Sequence, residues 1–235
     1  MASIIDAIEE TVHDDHAIFK FILWAIPVVG SYLLFYVGNM GWFYFVGSLT
    51  VLMLLTIIVK TINNCRNARN EVLPSFNVFS FIGTAIKTLF ALGPTFALCI
   101  WGGFKLTAIA IPIPLPNIQT IYSVIIWLLI ASVMITALIL FSKTEKIKDA
   151  YNLKLIQEAC IDILIAVIYF IPQILLFNLI IVGVVAYIFF VFRMEPYNIY
   201  TIIVAAISVV MSSAITGNYF AQIDYEQVAR EEDND

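Results

Sequence analysis

Apolar residues fall in long runs separated by short polar breaks. The first run spans Phe19 to Val37 and stops at Gly38-Asn39, and the second spans Trp42 to Val59 and stops at Lys60. A polar connection, Asn63 to Glu71, follows. The third run reaches from Thr88 to Phe104, with Lys105 beyond it. Pro112, Pro114 and Pro116 then alternate with apolar residues, which forbids a helix and predicts an extended segment. The fourth run is Ile118 to Phe141, followed by a charged connection from Ser142 to Asp149. The fifth, Ile161 to Phe192, is long, and the sixth, Tyr197 to Thr216, leads into an acidic tail.

A membrane span needs roughly 20 apolar residues. Ile161 to Phe192 is too long for one straight span and too short for a comfortable hairpin. We read it as one span with a kink at Pro172 and an extension into the interface. Two short spans meeting near Asn178 are the alternative. The predicted fold class is all-α, a polytopic transmembrane helical bundle of six spans arranged as three hairpins.

Each odd-numbered span is preceded by an amphipathic segment. The first puts Ile4, Ile5, Ile8 and Val12 opposite Asp6, Glu9, Glu10 and His13, and Ser3 with Asp6 supplies a capping signal. The second puts Val78, Phe81, Ile82, Ala85 and Ile86 opposite Asn77, Ser80, Thr84 and Lys87. The third puts Leu153, Ile156, Cys160 and Ile163 against Lys154, Gln157, Glu158 and Asp162. Such helices at a membrane boundary lie in the interface plane. Each odd span also carries one internal proline, Pro27, Pro94 or Pro172, whereas the even spans have none. This predicts a threefold repeat, about 1–60, 76–141 and 151–218, within one transmembrane domain of 1–220. Residues 221–235 are expected to form a disordered acidic cytosolic tail.

Composition agrees with the pattern. Hydrophobic residues make up 62% of the 235 and charged residues 12%, against about 25% charged in an ordinary soluble domain. Lys60, Arg66 and Arg69 lie in one connection, and Lys143, Lys146, Lys148 and Lys154 in another. The positive-inside rule places both in the cytosol, and six spans then put both termini there too. Trp42, Tyr44, Trp101, Tyr122 and Tyr197 fall near span ends, where interfacial aromatics belong. With net charge −5 and no continuous basic surface, a nucleic-acid partner is not expected. Cys65, Cys99 and Cys160 form no metal or disulfide spacing. The acidic N-terminus lacks the basic start and small-residue cleavage site of a signal peptide.

Leu73-Pro74-Ser75-Phe76 and Ala150-Tyr151-Asn152-Leu153 each introduce an amphipathic helix before a span. In this the chain resembles a family of bacterial and archaeal membrane proteins classed as a domain of unknown function. It is also loosely similar to the membrane domain beside some glycerophosphodiester phosphodiesterases. The likeness covers about Ile18 to Asn218. It implies a multi-pass helical fold in the cytoplasmic membrane and carries no functional residues. That family prefers acidic residues after the Leu-Pro, where Ser75 and Asn77 stand here.

Four groups of residues are candidates for chemistry. His13-Asp14-Asp15-His16 places two histidines three apart. On one helix face they could hold a metal with Glu9 or Glu10, although a solvated polar face is the simpler reading. Lys143, Lys146, Lys148 and Lys154 could contact anionic lipid, although Glu145, Asp149 and Glu158 offset their charge and topology alone accounts for them. Ser208, Ser212 and Thr216 recur every four residues in the last span, a spacing that suits close helix packing or the wall of a polar pathway. Gln173 and Asn178 follow Pro172, where an amide could satisfy carbonyls freed by a kink or contact a substrate.

Acids, bases and histidines are not expected at the bilayer midplane, which argues against a proton-coupled carrier. There is no G-x-S-x-G, no H-E-x-x-H and no phosphate-binding glycine loop, so neither catalysis nor a cofactor is expected. The expected role is a non-catalytic membrane scaffold or assembly partner, in contact with membrane lipids and with a protein partner or further copies of itself. A facilitative transporter or pore for a small or lipid-like substrate is the alternative. A lipid-directed enzyme using His13 and His16 ranks last.

Overall fold

The computed structural model describes residues 3–67, 71–75, 77–109, 117–192 and 198–223. The alternating prolines Pro112, Pro114 and Pro116, as well as Arg69, Phe76, Arg193, Tyr197 and the tail beyond Ile223, lie outside the described residues. The described chain is all-α. Its helices are α1 (Ile4–Val12), α2 (Ala17–Tyr36), α3 (Met40–Arg66), α4 (Val78–Thr107), α5 (Ile118–Thr144), α6 (Leu153–Val191) and α7 (Ile199–Ala221), with a 3₁₀ turn at Ile147–Tyr151. Six of them, α2 to α7, are long and apolar enough to cross a membrane.

Local chemistry sets the boundaries. Ser3 caps α1 by accepting from the Asp6 amide at 3.3 Å. His16, at φ 59°, turns the chain between α1 and α2. Gly38, at φ 78°, takes the left-handed turn after α2 at no steric cost. Asn198 caps α7 by accepting from the amides of Tyr200 and Thr201 at 3.0 and 3.1 Å. The three amphipathic segments take two forms. The first is a separate helix, because His16 breaks the chain behind it. The second and third have no such breaker and form the opening turns of α4 and α6. The long fifth apolar stretch is therefore part of one 39-residue helix. At 1.5 Å per residue α6 is about 58 Å long, well beyond the roughly 30 Å hydrocarbon thickness, so one continuous span leaves length over for the interface. Pro27, Pro94 and Pro172 all lie inside their helices.

Contacts divide the chain into two compact units. Unit 1 holds Met1–Ala85 and Pro172–Ile223, and unit 2 holds Ile86–Ile171. In unit 1 the core joins Phe21 and Ala25 of α2, Met53 and Ile57 of α3, Phe81, and Ala206, Val210 and Ala214 of α7. Trp24 stacks on Phe81 with ring centroids 4.4 Å apart. Helices α3 and α7 meet closely at Gly217, where an added Cβ would stand 2.8 Å from Thr61 Cβ and 2.9 Å from the Ile58 carbonyl oxygen. Lipid supplies no hydrophobic drive between spans, so such close packing holds them together. In unit 2 the ends of α4 and α5 join through Phe104 against Trp127, and through the Gln119 amide, which donates to the carbonyls of Thr107 and Ile109 at 3.0 and 3.1 Å.

Candidate functional site

The most concentrated polar chemistry lies at one end of unit 1, where α1, the start of α2, the end of α3, the following loop and the end of α7 meet. The His16 turn sends Asp14 inward, and its carboxylate is fully buried. Lys20, one turn into α2, is also buried, and its ammonium lies 3.4 Å from Asp14 and 3.0 Å from Glu71 of the loop. Asp14 also accepts from the backbone amide of Leu73. Asn64 of α3 holds the same loop by donating to the carbonyls of Val72 and Leu73 at 3.3 and 3.2 Å. On the other flank, buried Asn218 of α7 donates to Glu10 at 2.9 Å and to the Ala7 carbonyl at 3.4 Å. Gln222 accepts from the Ser3 amide at 3.0 Å. The N-terminal helix and the end of the last helix thus share one end of unit 1.

This ion-paired group was missed by sequence reasoning, which counted Lys20 inside an apolar run. The signal was present: Lys20 stands between Phe19 and Phe21, six residues after Asp14. An ionisable residue at the mouth of a span is by default a site with a partner nearby. Each charge here is costly to bury alone, and the pair is held because each satisfies the other.

The metal candidate takes a different form. Helix α1 ends at Val12, so His13 and His16 do not share a helix face. His13 caps α1, its Nδ1 lying 2.8 Å from the Glu9 carbonyl oxygen, and His16 occupies the turn. Among the described residues no group of three or more His, Cys, Asp or Glu could hold a metal ion. The apolar face of α1 is also redistributed. Ala7 and Thr11 are buried, with Asn218 of α7 bonded to both, while Ile5 and Val12 are exposed. The small residues allow the close approach, Ile4 and Ile8 are half-buried, and Ile5 and Val12 stay exposed.

Three of the polar residues in α6 and α7 meet. Asn178 Nδ2 donates to Ser212 Oγ at 2.7 Å and to the Ile174 carbonyl at 2.8 Å, and Ser208 Oγ donates to Asn178 Oδ1 at 2.7 Å. Ser208 is fully buried. Thr216 bonds back to the Ser212 carbonyl at 2.5 Å within α7. Gln173 is exposed. Near Pro27 a second polar group forms, where the Pro27 carbonyl accepts from Ser31 at 2.8 Å and from Thr50 of α3 at 3.2 Å. These hydroxyls floor an open groove of about 570 Å³ lined by Phe43, Tyr44, Gly47, Ser48 and Val51. Hydroxyl bonds of this kind satisfy backbone around a proline in lipid. In unit 2, Pro94 lies inside α4, and Lys143, Lys146, Lys148 and Lys154 are all exposed.

Compared with known protein families, curated proteins and solved structures, the chain shows no match.

Proposed function

We propose that this multi-pass membrane protein is a non-catalytic scaffold or assembly partner of a cytoplasmic membrane, with both termini in the cytosol. The observation that carries the reading is how the polar groups of unit 1 are used. Asn178 of α6 bonds both Ser208 and Ser212 of α7, so these polar groups join one helix to the next. Asn218, Gln222, Asp14 and Lys20 tie the terminal helices and the loop together at one end. Polar side chains inside a membrane bundle that bond from helix to helix act as glue. The basic connections support the cytosolic assignment through the positive-inside rule.

The test is solute flux through proteoliposomes, combined with photocrosslinking from the α6 position Tyr187 in native membranes. Permeability to neutral and anionic solutes is expected to equal that of empty vesicles, with discrete crosslinked species of higher mass. Saturable solute flux would replace the scaffold with a facilitative transporter.

A further inference from the structure

The turn between α5 and α6, in unit 2, carries Lys143, Lys146 and Lys148 among three acids that should offset them: Glu145, Asp149 and Glu158. Each acid has a partner other than these three lysines. Glu145 sits at φ 53°, at the end of α5, and its carboxylate lies 3.7 Å from Lys87 of α4. Asp149 accepts from the Thr144 hydroxyl. Glu158 lies 3.9 Å from Lys154, one turn away on α6. Lys143, Lys146 and Lys148 are left exposed, with no ion pair among the described residues. Beside them Ile147, Tyr151 and Leu153 are also exposed, and Leu153 is 77% so. The Tyr151 hydroxyl donates to the Phe90 carbonyl at 2.8 Å, which pins the turn to α4.

Ammonium groups with no ion pair among the described residues, next to exposed apolar side chains at the ends of two apolar helices, match the depth profile of a leaflet. The apolar residues reach the acyl boundary while the lysines meet headgroup phosphates. The geometry points to Lys143, Lys146 and Lys148 as a binding surface for anionic phospholipid headgroups. This surface is independent of the scaffold role, since it concerns lipid and not solute passage or protein partners.

The test is electron paramagnetic resonance of spin-labelled phosphatidylglycerol and phosphatidylcholine in vesicles holding the purified chain. The wild type should prefer the anionic label, and the preference should weaken with salt. K143Q/K146Q/K148Q should lower it by at least about threefold, because each lysine near an anionic leaflet contributes severalfold. The triple arginine variant should keep the preference and so separates lost charge from a disturbed fold. An unchanged preference in the glutamine variant would overturn the proposal, as would no preference in the wild type. Displacement of the anionic label by inorganic phosphate at constant ionic strength would also overturn it, in favour of a free-phosphate site.

Discussion

The junction of α1 and α2 and the turn between α5 and α6 are written in similar letters, with opposite charges a few residues apart. At the first, the His16 turn and the loop after α3 enclose the charges, and Asp14 and Lys20 are both buried. At the second, the acids are drawn to Lys87, Thr144 and Lys154, and three lysines face outward. The same ionic pairing has different consequences in the two places. A buried pair contributes little over an apolar replacement but costs much when half of it is removed, whereas exposed charges contribute little to folding and remain free to bind.

The strongest way to break this comparison is Asp14→Ala. It leaves Lys20 buried beside a half-exposed Glu71, and a loss of about 3–5 kcal/mol is expected in reversible unfolding. The double replacement Asp14→Leu with Lys20→Met should recover much of that loss. Unchanged stability in Asp14→Ala would mean the pair is not the element holding this end together. Next comes Gly217→Val, which drives a side chain into Thr61 and the Ile58 carbonyl. It should cost about 1–3 kcal/mol by the same measurement. A smaller effect is expected for Asn178→Ala, about 1 kcal/mol, since interhelical hydrogen bonds in membranes are individually modest. Suppression of that loss in a Ser208→Ala, Ser212→Ala background would confirm that the three side chains act together. Smallest is Lys146→Ala, expected to change stability by less than about 0.5 kcal/mol. A large destabilisation there would remove the contrast between the two regions.

The sequence reading went furthest where the physics is local. The six apolar stretches, the Ser3 cap and the helix ahead of the first of them follow from length, period and capping chemistry, and all are present. Reading Ile161 to Phe192 as one span agrees with the continuous α6, because neither Pro172 nor Asn178 ends the helix. It was less informative where partners are distant in the chain. Spacing placed His13 and His16 on one face, but the helix stops at Val12 and the histidines become a cap and a turn. Spacing set Glu145, Asp149 and Glu158 beside the nearby lysines, and it could not show that Glu145 pairs with Lys87, on a helix more than fifty residues earlier.

By itself the sequence determined that the chain is helical and long enough in six places to span a bilayer. In lipid every backbone group must be satisfied within its own segment, so composition and run length suffice for that conclusion. Only the tertiary structure decided which polar groups meet. It buried Lys20 against Asp14 and Glu71, joined Asn178 to Ser208 and Ser212, and left three lysines outside. Those pairings depend on where separate helices come together, and the cost of an unpaired charge or amide makes each specific to that arrangement.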